Sequence, residues 1–457
     1  RGSDIKAGGM DAAALAAKFA GRGSVEEAFI TAFKVLEGAI RALPAKTRQK
    51  VFGPSANRWY SMEIIYTKNP NVINYDSNNL VFHGWPVFKR DKTGTTEMSE
   101  DEVGGVDILT QNNIACFGPS KSASQLEASK IFMKKIADDN QVPTAQYQTF
   151  EDAKPALEFV KKIGFPCVIK ADGLASGKGV IIAQNFEEAT QSIAEILSGK
   201  FGEAGKKIII EEFLRGFEVS YFVICDGVNF LPLGFAHDHK KVGENETGLN
   251  TGGMGTFAPS PFIDKKMEEK IIEKIIVPTL DGMNKINAPF RGILFAGLMI
   301  DGENPKLLEF NTRFGDPETQ VILPRIKSDF VALIESTIDG KLNNFNIEFD
   351  EEKKLVCVVI CSNGYPEDYQ KNIEIKNLRQ LEKTLKDGDF IDGVSILHAG
   401  TIEKNSQILA TGGRVLNVVA SANNFSSARQ KAYKIVEMID WKAGFVRSDI
   451  AKKVQDF

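Results

Sequence analysis

From about Gly104 to the C-terminus, short apolar runs alternate with longer amphipathic stretches, the pattern of strands interleaved with helices. Ile114–Phe117 reads as a short strand stopped by Gly118-Pro119, and a helix follows from about Ala123 to Asp138. Pro166–Lys170, Lys207–Phe213 and Val219–Cys225 are apolar enough for buried strands, and Phe186–Leu197 has helical periodicity. Asp264–Lys285 is a long helix with charged residues on its open face. Ile293–Ile300 and Lys306–Asn311, joined by Asp301-Gly302-Glu303-Asn304-Pro305, predict an antiparallel hairpin. A helix then runs from Leu323-Pro324 to about Ile338. Beyond it a new strand set opens, Leu355–Cys361, Gly393–His398 and Val415–Ala420, with a helix at Ser426–Ile439. This change predicts a separate C-terminal domain that begins between Lys341 and Asp350, in a chain that is α/β by alternation and α+β overall. The first hundred residues differ: Asp11–Phe19 and Val25–Leu43 look helical, Met62–Tyr66 is a candidate strand, and Thr67–Glu102 is polar and rich in turn residues.

At 457 residues the chain exceeds a single core, and about two to four domains are expected. A hydrophobic fraction of 43% and a charged fraction of 25% are those of a globular protein. A net charge of -4 gives no pull toward nucleic acid or an anionic membrane, and no apolar run approaches bilayer length. The N-terminal Arg1-Gly2-Ser3-Asp4 opens no apolar signal segment. Five cysteines form no zinc-type pairs, and Cys357 and Cys361 fall within an apolar run. They read as reduced core residues, which makes the cytoplasm the expected compartment. Four scattered histidines argue against a histidine-rich metal site.

Chemistry concentrates in four segments. In Lys306–Glu318 an otherwise buried strand carries Glu309, Asn311 and Arg313 two apart, hence on one face. A carboxylate and an amide oxygen are hard ligands suited to Mg²⁺, and an arginine beside them suits a phosphate or carboxylate; the competing reading is a buried ion pair. In Val168–Val180 a strand delivers Lys170 and then a loop with Gly173, Gly177 and Gly179. Such a loop lets backbone N–H groups approach a polyphosphate, or is a glycine-rich turn on an exposed lid; it is neither a Walker loop nor a Rossmann fingerprint. Ile208–Leu214 ends an apolar strand in Glu211 and Glu212, with Glu218 beyond. An edge strand there could offer backbone groups and a carboxylate to a purine, with Glu218 on ribose hydroxyls, or the acids could simply be solvated. Asp238–Gly255, with His239 and Lys240 and a run of glycines, is a candidate for closing over a substrate. His239 in that loop is a possible base or, more commonly, a hydrogen-bonding residue.

The order of these elements resembles that of an ATP-grasp ligase. From about Gly104 to the end the chain resembles the phosphoribosylamine–glycine ligase (glycinamide ribonucleotide synthetase) family. Cys116–Lys130, Val168–Val180, Asp238–Gly255 and Leu308–Thr319 carry the likeness, with Leu397-His398-Ala399-Gly400-Thr401 and Gly412-Gly413-Arg414-Val415-Leu416. The resemblance implies an ADP-forming ligase of purine biosynthesis in which the glycine carboxylate attacks the γ-phosphate of ATP, and phosphoribosylamine then displaces phosphate from glycyl phosphate. It implies ATP contacts by Lys130, Lys170, Gly173, Ser176, Gly177, Lys178, Gly179, Glu211, Phe213, Leu214 and Glu218. Mg²⁺ (or Mn²⁺) would sit on Glu309 and Asn311, and Arg313 and Lys170 would serve catalysis. Asp238, His239, Lys240, Asn250, Gly252, Gly253 and Asp316 would form the substrate side. Small-molecule substrates, no nucleic acid or membrane, and a monomer or weak homodimer complete the expectation.

Its implied domains are an N-terminal one over residues 1–120, an ATP-grasp domain over 121–340 with a lid at about 145–210, and a C-terminal one over 341–457. Two departures from the family pattern stand out. The strand before Glu309 offers only Asp301 as a further acid, at a turn, so Asp301 is left off the metal set. The family usually opens with a strand and a Gly-x-Gly-Gly-Arg-Glu-His loop in a Rossmann-like domain; here Ala7-Gly8-Gly9-Met10-Asp11 precedes a helix, and residues 1–103 do not match. Two alternatives follow: an ATP-grasp ligase of another carboxylate and amine, or a non-catalytic ATP-binding protein with a replaced N-terminal module.

Overall fold

The computed structural model describes residues 89–90, 96–97, 105–111, 115–173, 179–386 and 391–457. The helices expected at Asp11–Phe19 and Val25–Leu43 and the strand at Met62–Tyr66 lie outside the described residues.

Two antiparallel sheets carry the fold. The smaller holds β1 (Tyr147–Phe150), β2 (Cys167–Ala171), β3 (Val180–Ala183) and β4 (Ile208–Glu212) in the order β1-β4-β2-β3. Helix α1 (Lys130–Asp139) precedes it, while α2 (Ala153–Ile163) and α3 (Phe186–Glu195) cover it. Phe159 and Val160 of α2, Ile193 of α3 and Ile169, Ile208 and Ile210 of the strands share one apolar cluster. The larger sheet contains β5 (Phe217–Asp226), β6 (Phe230–Asp238), β7 (Gly255–Ala258), β8 (Arg291–Asp301), β9 (Asn304–Asn311), β10 (Lys354–Ser362), β11 (Val394–His398) and β12 (Arg414–Ala422). Their order is β9-β8-β5-β6-β7-β10-β12-β11, and Gly444–Phe445 adds a ninth strand against β10.

Both faces of this sheet are covered, which explains why β5 and β10 read as continuous apolar runs. One face packs on α1, α4 (Lys265–Ile271) and α5 (Val277–Lys285), through residues such as Met133, Ile271, Met283, Tyr221 and Leu294. Residues of α6 (Phe330–Ile338) and α7 (Phe425–Met438) join the strands of the C-terminal half in another core. Side-chain caps set several helix starts: Ser129, Asn185, Asp264, Asp329 and Asn424 each accept a backbone N–H of the first turn.

Caps also account for the corrections. The helix expected over Ala123–Asp138 is two helices, because Ser129 is extended (φ -130°, ψ 117°) between Gln125–Ala128 and α1 and caps the second. The helix expected from Leu323-Pro324 begins only at Phe330, where Asp329 caps it; Leu323–Arg325 is a single 3-10 turn before an extended stretch in which Ile326 bridges Phe349. Ala115–Phe117 has no strand pairing, so the described part of the strand expected at Ile114–Phe117 is irregular. The strand set after Lys341 is present, but it does not stand apart: β7 pairs with β6 on one side and β10 on the other. The hairpin of β8 and β9 forms as expected, with a register shift at Gly297/Leu298 that leaves Leu308 bulged. Among the described residues no helix is long and apolar enough to cross a membrane.

The end of the chain is clamped to the loop after β6 by buried charges. Arg447, 2% exposed, gives Nη2 to Glu246 (2.8 Å) and Asp449 (2.8 Å) and Nη1 to the Lys241 carbonyl (2.9 Å). Burial pushes the Glu246 and Asp449 carboxyls up, but bonds from His239 and Arg447 to the first and from Arg447 and the Asn245 N–H to the second outweigh it. Both are held at about 2, from ordinary values of 4.5 and 3.8. A carboxyl depressed by folding stabilises the fold fully above its ordinary pKa and stops doing so as pH falls through the depressed one. The thermal midpoint is therefore expected to fall between pH 4.5 and about 2 with a component that Arg447→Gln removes. Equal slopes for the two proteins over that range would show that the clamp carries none of the acid sensitivity.

Candidate active site

Strand β2 places Lys170, 7% exposed, opposite Ile209 of β4. Two strands of alternation bring Glu211 of β4 to the same side, where Oε2 lies 2.9 Å from Lys170 Nζ. The other oxygen, Oε1, lies 3.2 Å from Lys134 Nζ on α1. Lys134 is wholly buried, and its ammonium group donates to Thr144 Oγ1 (2.7 Å) and stands 4.9 Å over the Tyr147 ring. One turn earlier on α1, Lys130 donates to the Gly173 carbonyl (3.1 Å), at the start of the glycine loop. Asp172 fixes that meeting, since its Oδ1 accepts from Ile131 N (2.8 Å) and Ser129 Oγ (3.1 Å) at the helix start. Gly173 and Gly179 flank the loop; Ser176, Gly177 and Lys178 lie outside the described residues.

These contacts correct two expectations for β4. It is an inner strand, between β1 and β2, so it offers no edge to a ring. The Glu211 carboxylate is buried between two lysines and is not aimed at an exocyclic amine. Its neighbour Glu212 points the other way, to Lys306 Nζ and the Gln146 N–H (2.9 and 3.0 Å). The ladder ends at Glu212, leaving the main chain of Phe213 and Leu214 beyond it. Glu218, at the start of β5, makes an ion pair with Lys240 (3.0 Å).

On β9, Glu309 faces Gly297, whose missing Cβ leaves room for the Glu309 side chain. Asn311 shares that face, and its Oδ1 accepts from Arg313 Nη2 (3.1 Å). Arg313 Nε donates to Glu127 Oε1 (2.9 Å), and Glu127 Oε2 takes the Thr312 N–H (2.8 Å). The ion pair weighed from the sequence thus exists, but it joins Arg313 to Glu127. Among the described residues no cation approaches Glu309 to ion-pair distance. Burial pushes its carboxyl up, yet Lys240, Lys170, Lys130 and Arg313 together outweigh this and hold it below the usual range. Lys130 is lowered by burial, with Glu309 opposing and Lys170 reinforcing. Asp301 is exposed at the turn, paired with Asn304, well along the strand from Gly297.

The Asp-His-Lys segment divides by alternation. Asp238 and Lys240 face the acids and cations just described, and Glu218 above all raises the Lys240 ammonium. His239 turns away and is 5% exposed. Its Nε2 accepts from the Ala451 N–H (3.2 Å), so Nδ1 carries the proton and donates to Glu246 (3.0 Å). His239 therefore joins the C-terminal clamp instead of the substrate side, and the reading as a base falls. Asn250 stands exposed at the end of the short strand Thr247–Asn250.

Gly252 and Gly253 come against the C-terminal strands. The Gly252 N–H donates to the Tyr365 hydroxyl (2.9 Å), and its carbonyl accepts from Arg414. Arg414, at the head of β12, also reaches the Asp316 carboxylate (2.9 Å) and carbonyl (2.7 Å). At Gly253 (φ +111°) a Cβ would lie 2.7 Å from Asp238 Oδ1 and overlap Pro317. The sequence reading missed Lys134, Asp172, Glu127, Ser220, Glu318, Tyr365 and Arg414. Lys134 had a signal in its helical spacing from Lys130, and Arg414 had one in its glycine-flanked setting.

Two family models match this chain: the ATP-grasp (A) domain of phosphoribosylglycinamide synthetase over residues 128–319 and the C domain of the same synthetase over residues 355–453. A Brucella melitensis protein called phosphoribosylamine–glycine ligase is 46% identical over 76% of the chain and 79% of its own length. A chloroplastic Arabidopsis thaliana protein of that name is 45% identical over 75% of the chain, which spans 64% of that relative. The crystal structure of a phosphoribosylamine–glycine ligase from Thermotoga maritima superposes with a TM-score of 0.66 and 33% identity, covering 76% of this chain and 84% of the other.

The shared carboxylate makes its own prediction. Glu211→Gln would leave Lys134 and Lys170 buried without a counter-charge, a loss of about 3–5 kcal/mol for a broken buried pair. Thermal or urea unfolding would register it. A drop no larger than that of Glu195→Gln, an exposed pair with Lys200, would show that Glu211 does not hold the two lysines.

Proposed function

The chain belongs to the phosphoribosylglycinamide synthetase family, and we propose that it joins glycine to phosphoribosylamine with cleavage of ATP to ADP and phosphate. The observation that carries the site reading is Glu309, a carboxylate kept ionised by four surrounding cations and paired with none of them. An acid in that state is ready to take a cation from solution. With the Asn311 oxygen on the same face it fits Mg²⁺ or Mn²⁺, which bind through one or two protein oxygens plus substrate phosphates. When bound, the metal screens the phosphate oxygens during transfer.

The protein's own groups do the remaining work by placement and charge. Lys130 and Lys170 offer ammonium groups to the ATP phosphates, and Asp172 and Glu211 set where those groups stand. By its sequence, the glycine-rich run from Gly173 to Gly179 is the candidate for the terminal phosphate. The main chain of Phe213 and Leu214, past the end of β4, holds the adenine, and Glu218 lies nearby for the ribose. The glycine carboxylate approaches between Lys240 and Arg313 and attacks the γ-phosphorus, and ADP leaves. The amine of phosphoribosylamine then attacks the acyl carbon and phosphate departs. Arg313, fixed by Glu127 on one side and Asn311 on the other, needs no reorganisation to stabilise charge on the transferring group. Asp238, Gly252, Gly253 and Asp316 form the substrate side. Residues 121–340 act as the ATP-grasp unit and 341–457 complete it through Arg414.

ADP release with ATP, glycine and phosphoribosylamine omitted in turn tests the assignment. Release that ignores phosphoribosylamine, or that follows other carboxylates and amines equally well, would point to another ATP-grasp ligase; nucleotide binding without turnover would point to a non-catalytic protein. Glu309→Ala should lower metal-dependent kcat by about 10²–10³-fold, with the thermal midpoint nearly unchanged. Full turnover in that variant would remove the metal assignment.

A further inference from the structure

Around the substrate side each of three cations has an acid of its own. Lys240 pairs with Glu218 (3.0 Å), Arg414 with Asp316 (2.9 Å) and Arg313 with Glu127 (2.9 Å). Besides Glu309, two carboxyls are left over. Asp238 Oδ1 is shielded from solvent and has no hydrogen-bond partner. Glu318 is 3% exposed and accepts one bond, from Ser220 Oγ (3.0 Å). A buried acid left without a partner costs the full desolvation of that oxygen, so its persistence calls for an occupant.

We propose that Asp238 and Glu318 form the subsite for the ammonium group of the amino-acid substrate, with Asp238 Oδ1 as its principal acceptor. The inference rests on glycine being the substrate and says which side chains recognise its charged end. Asp238 stands two residues before Lys240 on the same side of the extended chain, about 7 Å away along the backbone. A two-carbon amino acid whose carboxylate lies by Lys240 and Arg313 brings its nitrogen toward Asp238. The two acids sit over bare backbone, because a Cβ at Gly253 would crowd Asp238 and one at Gly315 would overlap Glu318. Burial and then Glu318 raise the Asp238 carboxyl, with Lys240 and Arg414 opposing; burial above all raises that of Glu318, with its own backbone N–H, Lys240 and Ser220 opposing and Asp316 adding negative charge. Both carboxyls are thus held above their usual range, a strain that a positive occupant would relieve. The ammonium group supplies the missing counter-charge on binding.

The full enzyme is assayed with ATP and phosphoribosylamine, and with either glycine or glycolate, which replaces the ammonium group by a hydroxyl. Wild type should strongly prefer glycine. Asp238→Asn, nearly isosteric, should raise KM for glycine about 10–100-fold, leave KM for ATP within about twofold, and bring the glycine-to-glycolate ratio of kcat/KM close to one. Glu318→Gln should shift the ratio in the same direction by less, and it serves as the test if the first variant is insoluble. An unchanged ratio, or an equal loss for both acids, overturns the subsite while leaving the ligase intact. Wild type without glycine-dependent ADP release would overturn the functional reading first, and the subsite with it.

Discussion

The Glu211 carboxylate, shared by two buried lysines, is the contact on which the geometry of the nucleotide half rests. Lys170 arrives on β2 and Lys134 on α1, elements that belong to different cores. Both ammonium groups are buried, and the acid paired with each offsets a desolvation cost of several kcal/mol. Because α1 also bears Lys130, fixing Lys134 one turn away orients Lys130 over Gly173. One acid thereby sets the relation of three amines to the small sheet.

On β9 the arrangement is reversed. Cations surround Glu309 without touching it, and the arginine that could neutralise it is held by Glu127. The difference between the two acids is thus one of partner distance. Glu211 is closed off by direct ion pairs; Glu309 feels a positive field and keeps its oxygens available. Both would look alike in a count of charges.

The same contrast explains what the sequence could and could not disclose. Glu309, Asn311 and Arg313 were legible because strand alternation puts them on one face, and the bulge at Leu308 lies before them. Lys134 sat unnoticed on the apolar side of a helix, where a lysine reads as an exception instead of a partner. Arg414 and Glu127 come from distant segments, and only the pairing of β7 with β10 and the break at Ser129 bring them in. His239 was misjudged because neighbouring residues on an extended chain face opposite ways, and the tail that receives it is two hundred residues on. The Gly177 and Lys178 part of the loop stays an expectation.

Strand β7 has a consequence for how this chain can be divided. It is four residues long, Gly255–Ala258, yet it is the only rung between the ATP-grasp strands and the C-terminal strands in the larger sheet among the described residues. A cut between Lys341 and Asp350, where the strand set changes, would strip β10 from it and bare a row of backbone donors and acceptors. The C-terminal segment is therefore less a passenger than a lining, and in any rearrangement of the gene these two regions would have to be inherited as one piece.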